Sequence, residues 1–150
     1  MNNDTDAVIV KLEGVTRVFT QGKVEVRALR GVDLEIQRGE FTAIIGPSGS
    51  GKTTTLNIIG ALDDPTAGRV LLEGRDLTKL GRGELSRIRR DRIGFVFQAY
   101  NLIPVLTAYE NAELVLRLQG APAAEREKTV KQLLSDVGLE GMEGRRPSEM

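Results

Sequence analysis

A glycine-rich segment followed by a lysine and a hydroxyl residue contains the residue types that bind phosphate. Residues 46–53 read Gly-Pro-Ser-Gly-Ser-Gly-Lys-Thr and match the pattern G-x-x-x-x-G-K-[ST]. Glycines let the backbone turn tightly, so that successive N–H groups point at the oxygens of a polyphosphate. Lys52 can reach the terminal phosphates as a point charge, and the Thr53 hydroxyl can ligate Mg²⁺. The candidate phosphate-binding residues are Gly46, Pro47, Ser48, Gly49, Ser50, Gly51, Lys52, Thr53 and Thr54.

The elements on either side of this segment decide whether it is more than a glycine-rich turn with a solvated lysine. Residues 41–45 form a short, apolar, β-branched run, which predicts a buried parallel strand. Residues 52–62 predict a helix with Leu56, Ile59 and Leu62 facing inward. The order strand, loop and helix is the one that a phosphate-binding loop requires, because the free N–H groups and the positive dipole end of the helix then face the anion.

The rest of the sequence predicts an α/β fold that begins with a small antiparallel β element. We expect residues 1–6 to be a flexible tail and residues 7–150 to belong to one domain. A capping box at Thr107 and Glu110 starts one helix, and Pro122 at the first helical position starts the next, with Val130, Leu133, Leu134 and Val137 facing inward. Strands are predicted over 7–19, 24–29, 32–36, 69–73 and 93–97, the last of them buried, and helices over 84–90, 107–119 and 122–138.

Composition excludes several classes of function. The chain has 21 basic and 21 acidic residues, which argues against a general polyanion binder. The arginines at 82, 87, 89, 90 and 92 are therefore interpreted as a solvated helix face, and we expect no nucleic-acid partner. There is no cysteine and no histidine, which removes disulfides, thiolate metal sites and the commonest general base. No signal peptide and no apolar stretch of about 20 residues is visible, so a cytoplasmic location is expected.

Four separate stretches resemble the nucleotide-binding domain of ABC transporters. They are the loop 46–53, Leu-Asp-x-Pro-Thr-x-Gly-x-Val at 62–70, Ile-Gly-Phe-Val-Phe-Gln at 93–98, and Tyr-Asn-Leu-Ile-Pro-x-Leu-Thr-x-x-Glu-Asn at 100–111. The last stretch is similar to the branch that contains the lipoprotein-release and macrolide-export ATPases. The resemblance implies a P-loop NTPase core with an N-terminal antiparallel β subdomain, ATP and Mg²⁺ as cofactors, and hydrolysis of ATP to ADP and phosphate.

The resemblance also assigns roles to two residues outside the loop. Phe19 stands where the family has an aromatic that stacks on adenine, although it can also be a core residue at the end of a strand. Gln98 stands where the family has a glutamine that approaches Mg²⁺ and the attacking water. A neutral amide can accept from water and donate to phosphate. Lys52 and Gln98 are thus the candidate catalytic residues, and Thr53 and Gln98 the candidate Mg²⁺ ligands.

The family likeness implies two protein partners. Residues 99–106 form an apolar loop that contains Tyr100, Leu102, Ile103 and Val105.

 In the family the stretch that begins at Ala99 and ends at Leu106 meets the coupling helix of a membrane permease. The alternative is that these apolar side chains pack under the helix that begins at Thr107. The second implied partner is another ATP-binding domain, which joins the first head to tail when ATP binds. The permease would hold the protein on the inner face of the cell membrane.

Several family motifs are not found in these 150 residues. The sequence ends with Arg-Pro-Ser-Glu-Met at 146–150, which in the family comes just before the signature Ser-Gly-Gly-Gln. Two more family motifs are also missing. One is an apolar run followed by Asp-Glu, and the other is a switch histidine. We therefore expect the chain to be the N-terminal portion of a domain of about 220 to 240 residues, incomplete at its C-terminus. By itself it would bind nucleotide weakly at most and would not hydrolyse it.

Two other functions remain open from the sequence. One is a non-transport ABC ATPase that regulates cell division at the membrane, because its glutamine-loop region is similar. The other is a soluble ABC ATPase of DNA repair or translation, although such proteins usually carry two nucleotide domains or long inserts. The string at 101–111 favours a subunit that couples ATP to export or extraction by a separate permease.

Overall fold

The computed structural model describes residues 8–22 and 24–150. The expected tail at 1–6, the first residue of the first predicted strand, Ala7, and the turn residue Lys23 lie outside the described residues. The contacts divide the chain into two compact units, one that ends at Arg89 and one from Arg90 to Met150.

The first unit is built on a four-stranded antiparallel sheet. Strand β1 (Val8–Gln21) pairs with β2 (Val24–Gln37) on one side and with β3 (Ala67–Leu72) on the other, and β3 pairs with the short β4 (Arg75–Asp76). The strand order is therefore β2-β1-β3-β4. The predicted antiparallel β element is confirmed, and β3 begins two residues earlier than the sequence predicted.

Glycines let the two long strands bend without ending. In β1 the register with β2 shifts between Leu12 and Val15, where Gly14 has a positive φ of 56° and its N–H donates to Asp33 Oδ1 at 2.7 Å. In β2, Gly31 takes φ 99° and joins the two runs that the sequence predicted separately. Bulges of this kind increase the local twist, so one hairpin can curve around the core.

The core of the first unit lies between this sheet, helix α1 (Lys52–Ile59) and the part of helix α2 (Arg82–Arg92) that ends at Arg89. Helix α1 contacts β2 and β3. Helix α2 is longer at both ends than the predicted 84–90 and places Leu85 and Ile88 in the core. Each large apolar side chain buried in this way stabilises the fold by about 1.5–3 kcal/mol. The buried apolar residues of this unit are Val10, Leu12, Val15, Leu29, Ile58, Ala61, Val70, Leu77, Leu85 and Ile88.

The predicted inward face of α1 is wrong. The buried residues of this helix are Thr55 and Ile58, whereas Leu56 and Leu62 are exposed and Ile59 is half-buried. The phosphate-binding motif fixes where the helix begins, and its buried stripe then runs through positions three apart. A threonine is tolerated in the core because its hydroxyl donates to Gly51 O at 3.1 Å.

The two predicted buried strands at 41–45 and 93–97 are also corrected. Neither segment belongs to the sheet of the described residues. Phe41 is 98% exposed, Ile45 is 90% exposed, and Val96 is exposed as well. A parallel strand needs neighbouring strands for its N–H and C=O groups and cover on both faces for its side chains. Residues 8–22 and 24–150 supply neither, so the apolar pattern alone did not produce a buried strand.

The second unit contains two packed helices, α3 (Ala108–Leu118) and α4 (Ala123–Asp136), and a short 3₁₀ helix at Pro147–Glu149. Ala108, Val130 and Leu134 form its buried cluster. Arg126 on α4 joins the helices by donating from Nε to Glu113 Oε1 at 2.7 Å, with both side chains largely buried. Tyr109, Ala112, Leu116 and Leu139 pack against the cluster.

The face of α4 is only partly as predicted. Val130 and Leu134 are buried, but Leu133 and Val137 are exposed, so the predicted apolar stripe is too wide. Pro122 is the N-cap rather than the first helical residue. The backbone of Pro122 has ψ 146°, which is extended rather than helical, so the first helical residue is Ala123.

In the described ranges, no helix has the length and apolar character needed to cross a membrane.

The capping box at the start of α3 is confirmed. Thr107 Oγ1 accepts from the Glu110 N–H at 3.2 Å, and Glu110 Oε2 accepts from the Thr107 N–H at 2.8 Å. The bond from the Thr107 N–H is the main reason why the pKa of the Glu110 carboxyl lies below its ordinary value. The next two N–H groups, of Ala108 and Tyr109, donate to carbonyls of residues 145 and 143. The N–H groups of residues 107 to 110, at the start of this helix, thus each have an acceptor.

We expect Thr107→Ala to lower the free energy of unfolding by about 1 kcal/mol, because the Glu110 N–H loses its acceptor. Thr107→Ser keeps a hydroxyl at this position and is the matched control. Urea titration of both variants measures the effect. Equal stability of the alanine and serine variants would show that the cap does not stabilise α3.

Candidate functional site

The glycine-rich loop at residues 46–51 is exposed and leads directly into α1. The Ser50 N–H donates to Pro47 O at 3.3 Å, which closes a tight turn. Gly49 and Gly51 have φ values of 77° and 90°, a region that residues with a Cβ rarely adopt. The loop therefore has the curled backbone that the sequence pattern predicted.

Gly51 is where the loop meets the sheet. A Cβ at this position would lie 2.7 Å from Ala28 O and 2.8 Å from Leu29 Cδ2, both on β2. The backbone can approach the strand this closely only because a glycine stands here. The close approach of Gly51 to β2 fixes the position of the first turn of α1 relative to the sheet.

Lys52 folds back over the loop. Its Nζ donates to Gly46 O at 2.8 Å and to Pro47 O at 2.7 Å. An ammonium group has three donors, so the two carbonyls leave one for another acceptor. The side chain thereby holds a positive charge beside the loop backbone, at the start of the helix.

The N-terminus of α1 adds partial positive charge at the same place. Its N-cap is Gly51, which offers no side-chain acceptor, and the first turn carries no acidic residue. The first N–H groups of a helix have no partner within the helix, and they carry the positive end of its dipole. Thr53 is exposed in this turn and Thr54 is half-buried. Together these groups can bind an anion with several oxygens.

Two further arginines lie next to the loop, and sequence reasoning did not single them out. Arg27 and Arg30 of β2 line one surface depression together with Gly49 and Ser50. Both arginines are exposed. They raise the positive potential near the loop, which favours the approach of an anionic ligand.

Phe19 lies near the end of β1, opposite Val26 of β2, and is 40% exposed. Its ring is therefore not part of the buried core of the first unit. The guanidinium carbon of Arg17 lies 4.5 Å from the centroid of the ring. Arg17 in turn forms a two-pronged ion pair with Asp63 at 2.6 and 3.0 Å. Sequence reasoning missed this arrangement, although Asp63 belongs to one of the motifs that it quoted.

Gln98 belongs to the second unit, where it is exposed at a bend after the segment 93–97. Among the residues that follow, Tyr100 is 92% exposed, and Leu102, Ile103 and Val105 are also exposed. Of the two interpretations of this stretch, an exposed apolar patch describes these four side chains better than packing under α3.

Asn111 holds the backbone of this exposed stretch in place. Its Nδ2 donates to Ile103 O at 3.2 Å, Leu106 O at 3.1 Å and Thr107 O at 2.9 Å, and its Oδ1 accepts from the Ile103 N–H at 2.8 Å. The sequence showed Asn111 only as part of a motif. The spacing of the motif does not show that one side-chain amide both donates to and accepts from the backbone of the loop.

A glycine-rich loop that leads into an uncapped helix, with a lysine folded over it, defines the phosphate-binding architecture of P-loop proteins. Residues 29–150 match the protein-family model described as ABC transporter. The chain therefore belongs to the ABC transporter family.

Curated relatives support the same assignment. The chain is 48% identical over 142 residues to an uncharacterized ABC transporter ATP-binding protein of Thermotoga maritima, a match that covers 95% of this chain and 61% of the relative. It is 47% identical over 142 residues to a macrolide export ATP-binding/permease protein MacB of Marinobacter nauticus, with 95% of this chain and 22% of the relative covered. The chain thus spans less than two thirds of the length of these relatives.

Solved structures share the fold. An ATP-binding cassette in a dimeric post-hydrolysis state, bound to ADP and Pi, aligns with a TM-score of 0.87 at 45% identity. The alignment covers 95% of this chain and 63% of that one. A second structure, a dimeric bacterial ABC transporter cassette, aligns with a TM-score of 0.87 at 44% identity. The predicted α/β class and the family resemblance are confirmed.

We expect Gly51→Ala to lower the free energy of unfolding by about 2–4 kcal/mol, because the added methyl group combines an unfavourable φ with a clash against β2. Gly49→Ala is the control, since its φ is also positive but a Cβ there would meet nothing within 4 Å. Chemical denaturation of the two variants gives the comparison. If both alanines have the same effect, the close approach to β2 does not determine the position of the loop.

Proposed function

We propose that this chain is the N-terminal portion, residues 7–150, of an ATP-binding domain that couples MgATP binding and hydrolysis to export or extraction by a separate membrane permease. The observation that carries the proposal is the ammonium group of Lys52 over the glycine-rich loop, at a helix N-terminus without a cap. Because the chain covers only part of its relatives, we propose that it binds nucleotide weakly by itself and does not hydrolyse it.

The triphosphate would lie in the loop 46–51. Backbone N–H groups of the loop and of the first turn of α1 donate to its oxygens, and Lys52 donates its remaining N–H or exchanges its bonds to the loop carbonyls for bonds to phosphate. Each charge-assisted hydrogen bond contributes about 1.5–3 kcal/mol. Lys52 is assigned a catalytic role because a fixed positive charge stabilises the charge that develops on the transferred phosphoryl group.

The residues present fit a Mg²⁺ ion that is bound mainly through phosphate. Mg²⁺ takes oxygen ligands and usually keeps several waters, with only one or two ligands from the protein. The exposed hydroxyl of Thr53 would be one protein ligand, and the family resemblance assigns Gln98 as a second. When bound, Mg²⁺ neutralises charge on the β- and γ-phosphates. The described ranges contain no cluster of three acidic ligands that would form a protein-only metal site.

The base would stack on Phe19. The ring is partly exposed at the end of β1, which suits a π-face that receives a ligand. Stacking of a base on an aromatic side chain contributes about 1–3 kcal/mol and does not depend on hydrogen bonds. Phe19 would therefore contribute affinity for the nucleoside, whereas the loop 46–51 binds the phosphates.

The exposed stretch from Ala99 to Leu106 would contact the permease. Its apolar side chains are exposed while Asn111 fixes its backbone, so the surface is presented in one conformation. A second ATP-binding domain is the other proposed partner, and both solved relatives are dimeric. Binding to the permease would keep the protein on the cytoplasmic face of the membrane.

We propose no nucleic-acid partner. The charges of the chain balance, and two arginines of the basic helix α2 make specific contacts. Arg89 donates to Ala61 O at 2.7 Å, and Arg90 donates to Asp91 and to Leu118 O. These side chains have structural partners and are not simply a solvated face.

We expect Lys52→Ala to abolish ATP hydrolysis in the full-length protein, with a loss of about 100-fold or more in kcat, because the ammonium group that bonds to the loop carbonyls of Gly46 and Pro47 is removed. Lys79→Ala is the control, since Lys79 is an exposed lysine that pairs with Asp76 away from the loop. Steady-state phosphate release measures both. Hydrolysis near the wild-type rate in the Lys52 variant would contradict the proposal.

We expect Phe19→Ala to weaken ATP binding by about 5- to 100-fold, the loss of one stacked base, while the affinity for inorganic tripolyphosphate stays unchanged. Phe19→Tyr keeps a π-face and is expected to bind ATP as the wild type does. Calorimetric titration of the full-length variants with ATP and with tripolyphosphate measures the two affinities separately. Unchanged ATP affinity in Phe19→Ala would mean that the base does not stack there.

A further inference from the structure

We propose that Arg17 and Asp63 are positioning residues for the base-binding part of the site, because their ion pair fixes the ring of Phe19 in the orientation that receives the base. The inference rests on the proposed function, namely that the base stacks on Phe19. Neither residue is assigned a contact with nucleotide. Both would act through the phenyl ring.

Arg17 and Phe19 lie two positions apart on β1, so their side chains share one face of the sheet. The guanidinium carbon lies 4.5 Å from the ring centroid, within the range of a cation–π contact. A planar guanidinium stacks on an aromatic face, and this face is then covered. The ring remains 40% exposed, which leaves surface for a base on the uncovered side.

Asp63 keeps the guanidinium in this place. Its Oδ1 and Oδ2 accept from Arg17 Nη2 at 2.6 Å and Nε at 3.0 Å, a two-pronged geometry that fixes the plane of the guanidinium. The side chains of Arg17 and Asp63 are only 23% and 25% exposed, so water screens the pair less than it screens a surface pair. A lysine could place a positive charge near the ring, but its ammonium group is not planar and cannot stack on the ring as a guanidinium does.

The backbone around Asp63 is itself fixed to α1 and β1. The Asp63 N–H donates to Asn57 O in α1 at 3.2 Å. Three residues later, the Thr66 N–H donates to Thr16 O at 2.8 Å, and Thr66 Oγ1 accepts from the Val18 N–H at 3.0 Å. The loop after α1 is therefore attached to β1 on both sides of Arg17.

Helix α1 thus connects both parts of the proposed site. Its N-terminal turn presents the N–H groups and Lys52 to the phosphates. Asp63, in the loop that follows its C-terminal end, orients the aromatic ring through Arg17. An exposed phenyl ring that is already oriented loses less side-chain freedom when a base binds, so the affinity for the base rises. A change of Arg17 or Asp63 should then alter binding of the nucleoside and not of the phosphates.

The experiment compares Arg17→Lys and Asp63→Asn with wild type in the full-length protein, using titration with ATP and with inorganic tripolyphosphate. We expect the Kd for ATP to rise about 3- to 10-fold in each variant, because the ring of Phe19 must then lose side-chain freedom when the base binds, while the Kd for tripolyphosphate and kcat at saturating ATP stay within about twofold. Arg69→Lys is the matched control, because Arg69 pairs with Glu13 and Asp76 in the same sheet, whereas the cation over the Phe19 ring is that of Arg17. A double-mutant cycle adds Asp63→Asn to Phe19→Ala, and there it should have no further effect.

The outcomes separate the inference from the proposed function. If Phe19→Ala weakens ATP binding but the Arg17 and Asp63 variants do not, the inference is overturned and base stacking stands. If Phe19→Ala has no effect, base stacking itself is wrong and the inference fails with it. An equal loss for ATP and tripolyphosphate shows a general structural role and overturns the inference. Tighter ATP binding in Arg17→Lys also overturns it, because Arg17 would then occupy the place of the base.

Discussion

The close approach of Gly51 to β2 is the contact on which the rest of the candidate site depends. It fixes the start of α1 against Ala28 and Leu29, and only a residue without a Cβ allows it. Once the helix begins there, its first N–H groups and Lys52 lie beside the loop backbone. The same starting point decides that Thr55 and Ile58, three residues apart, face the core. Binding chemistry and packing therefore follow from one backbone contact.

The far end of α1 is held just as firmly. Gly68 passes so close to β1 that a Cβ there would lie 2.6 Å from the carbonyl oxygens of Glu13 and Gly14. The loop between α1 and β3 also bonds to Thr16 and Val18 of β1 through Thr66. These contacts attach helix α1 to the sheet at both ends, so one short helix positions both the loop and, through Asp63 and Arg17, the ring of Phe19.

The sequence was informative where short-range chemistry determines the structure. The glycine-rich loop and the capping box at Thr107 and Glu110 were predicted because each depends on residues a few positions apart. The strands at 41–45 and 93–97 were wrong because an apolar run becomes a buried strand only beside partner strands, which the described residues do not supply. The pair of Arg17 and Asp63, separated by 46 positions, could not be predicted, because only the fold brings the two together.

The central claim is that the loop 46–51 and Lys52 bind the terminal phosphates of ATP. A crystal structure of the full-length protein with Mg²⁺ and a non-hydrolysable ATP analogue tests it most directly. The account predicts that Lys52 Nζ lies about 2.7–2.9 Å from a β- or γ-phosphate oxygen, with loop N–H groups on the same phosphates. A bound analogue whose phosphates do not touch the loop, with Lys52 still bonded only to the carbonyls of Gly46 and Pro47, would contradict the account.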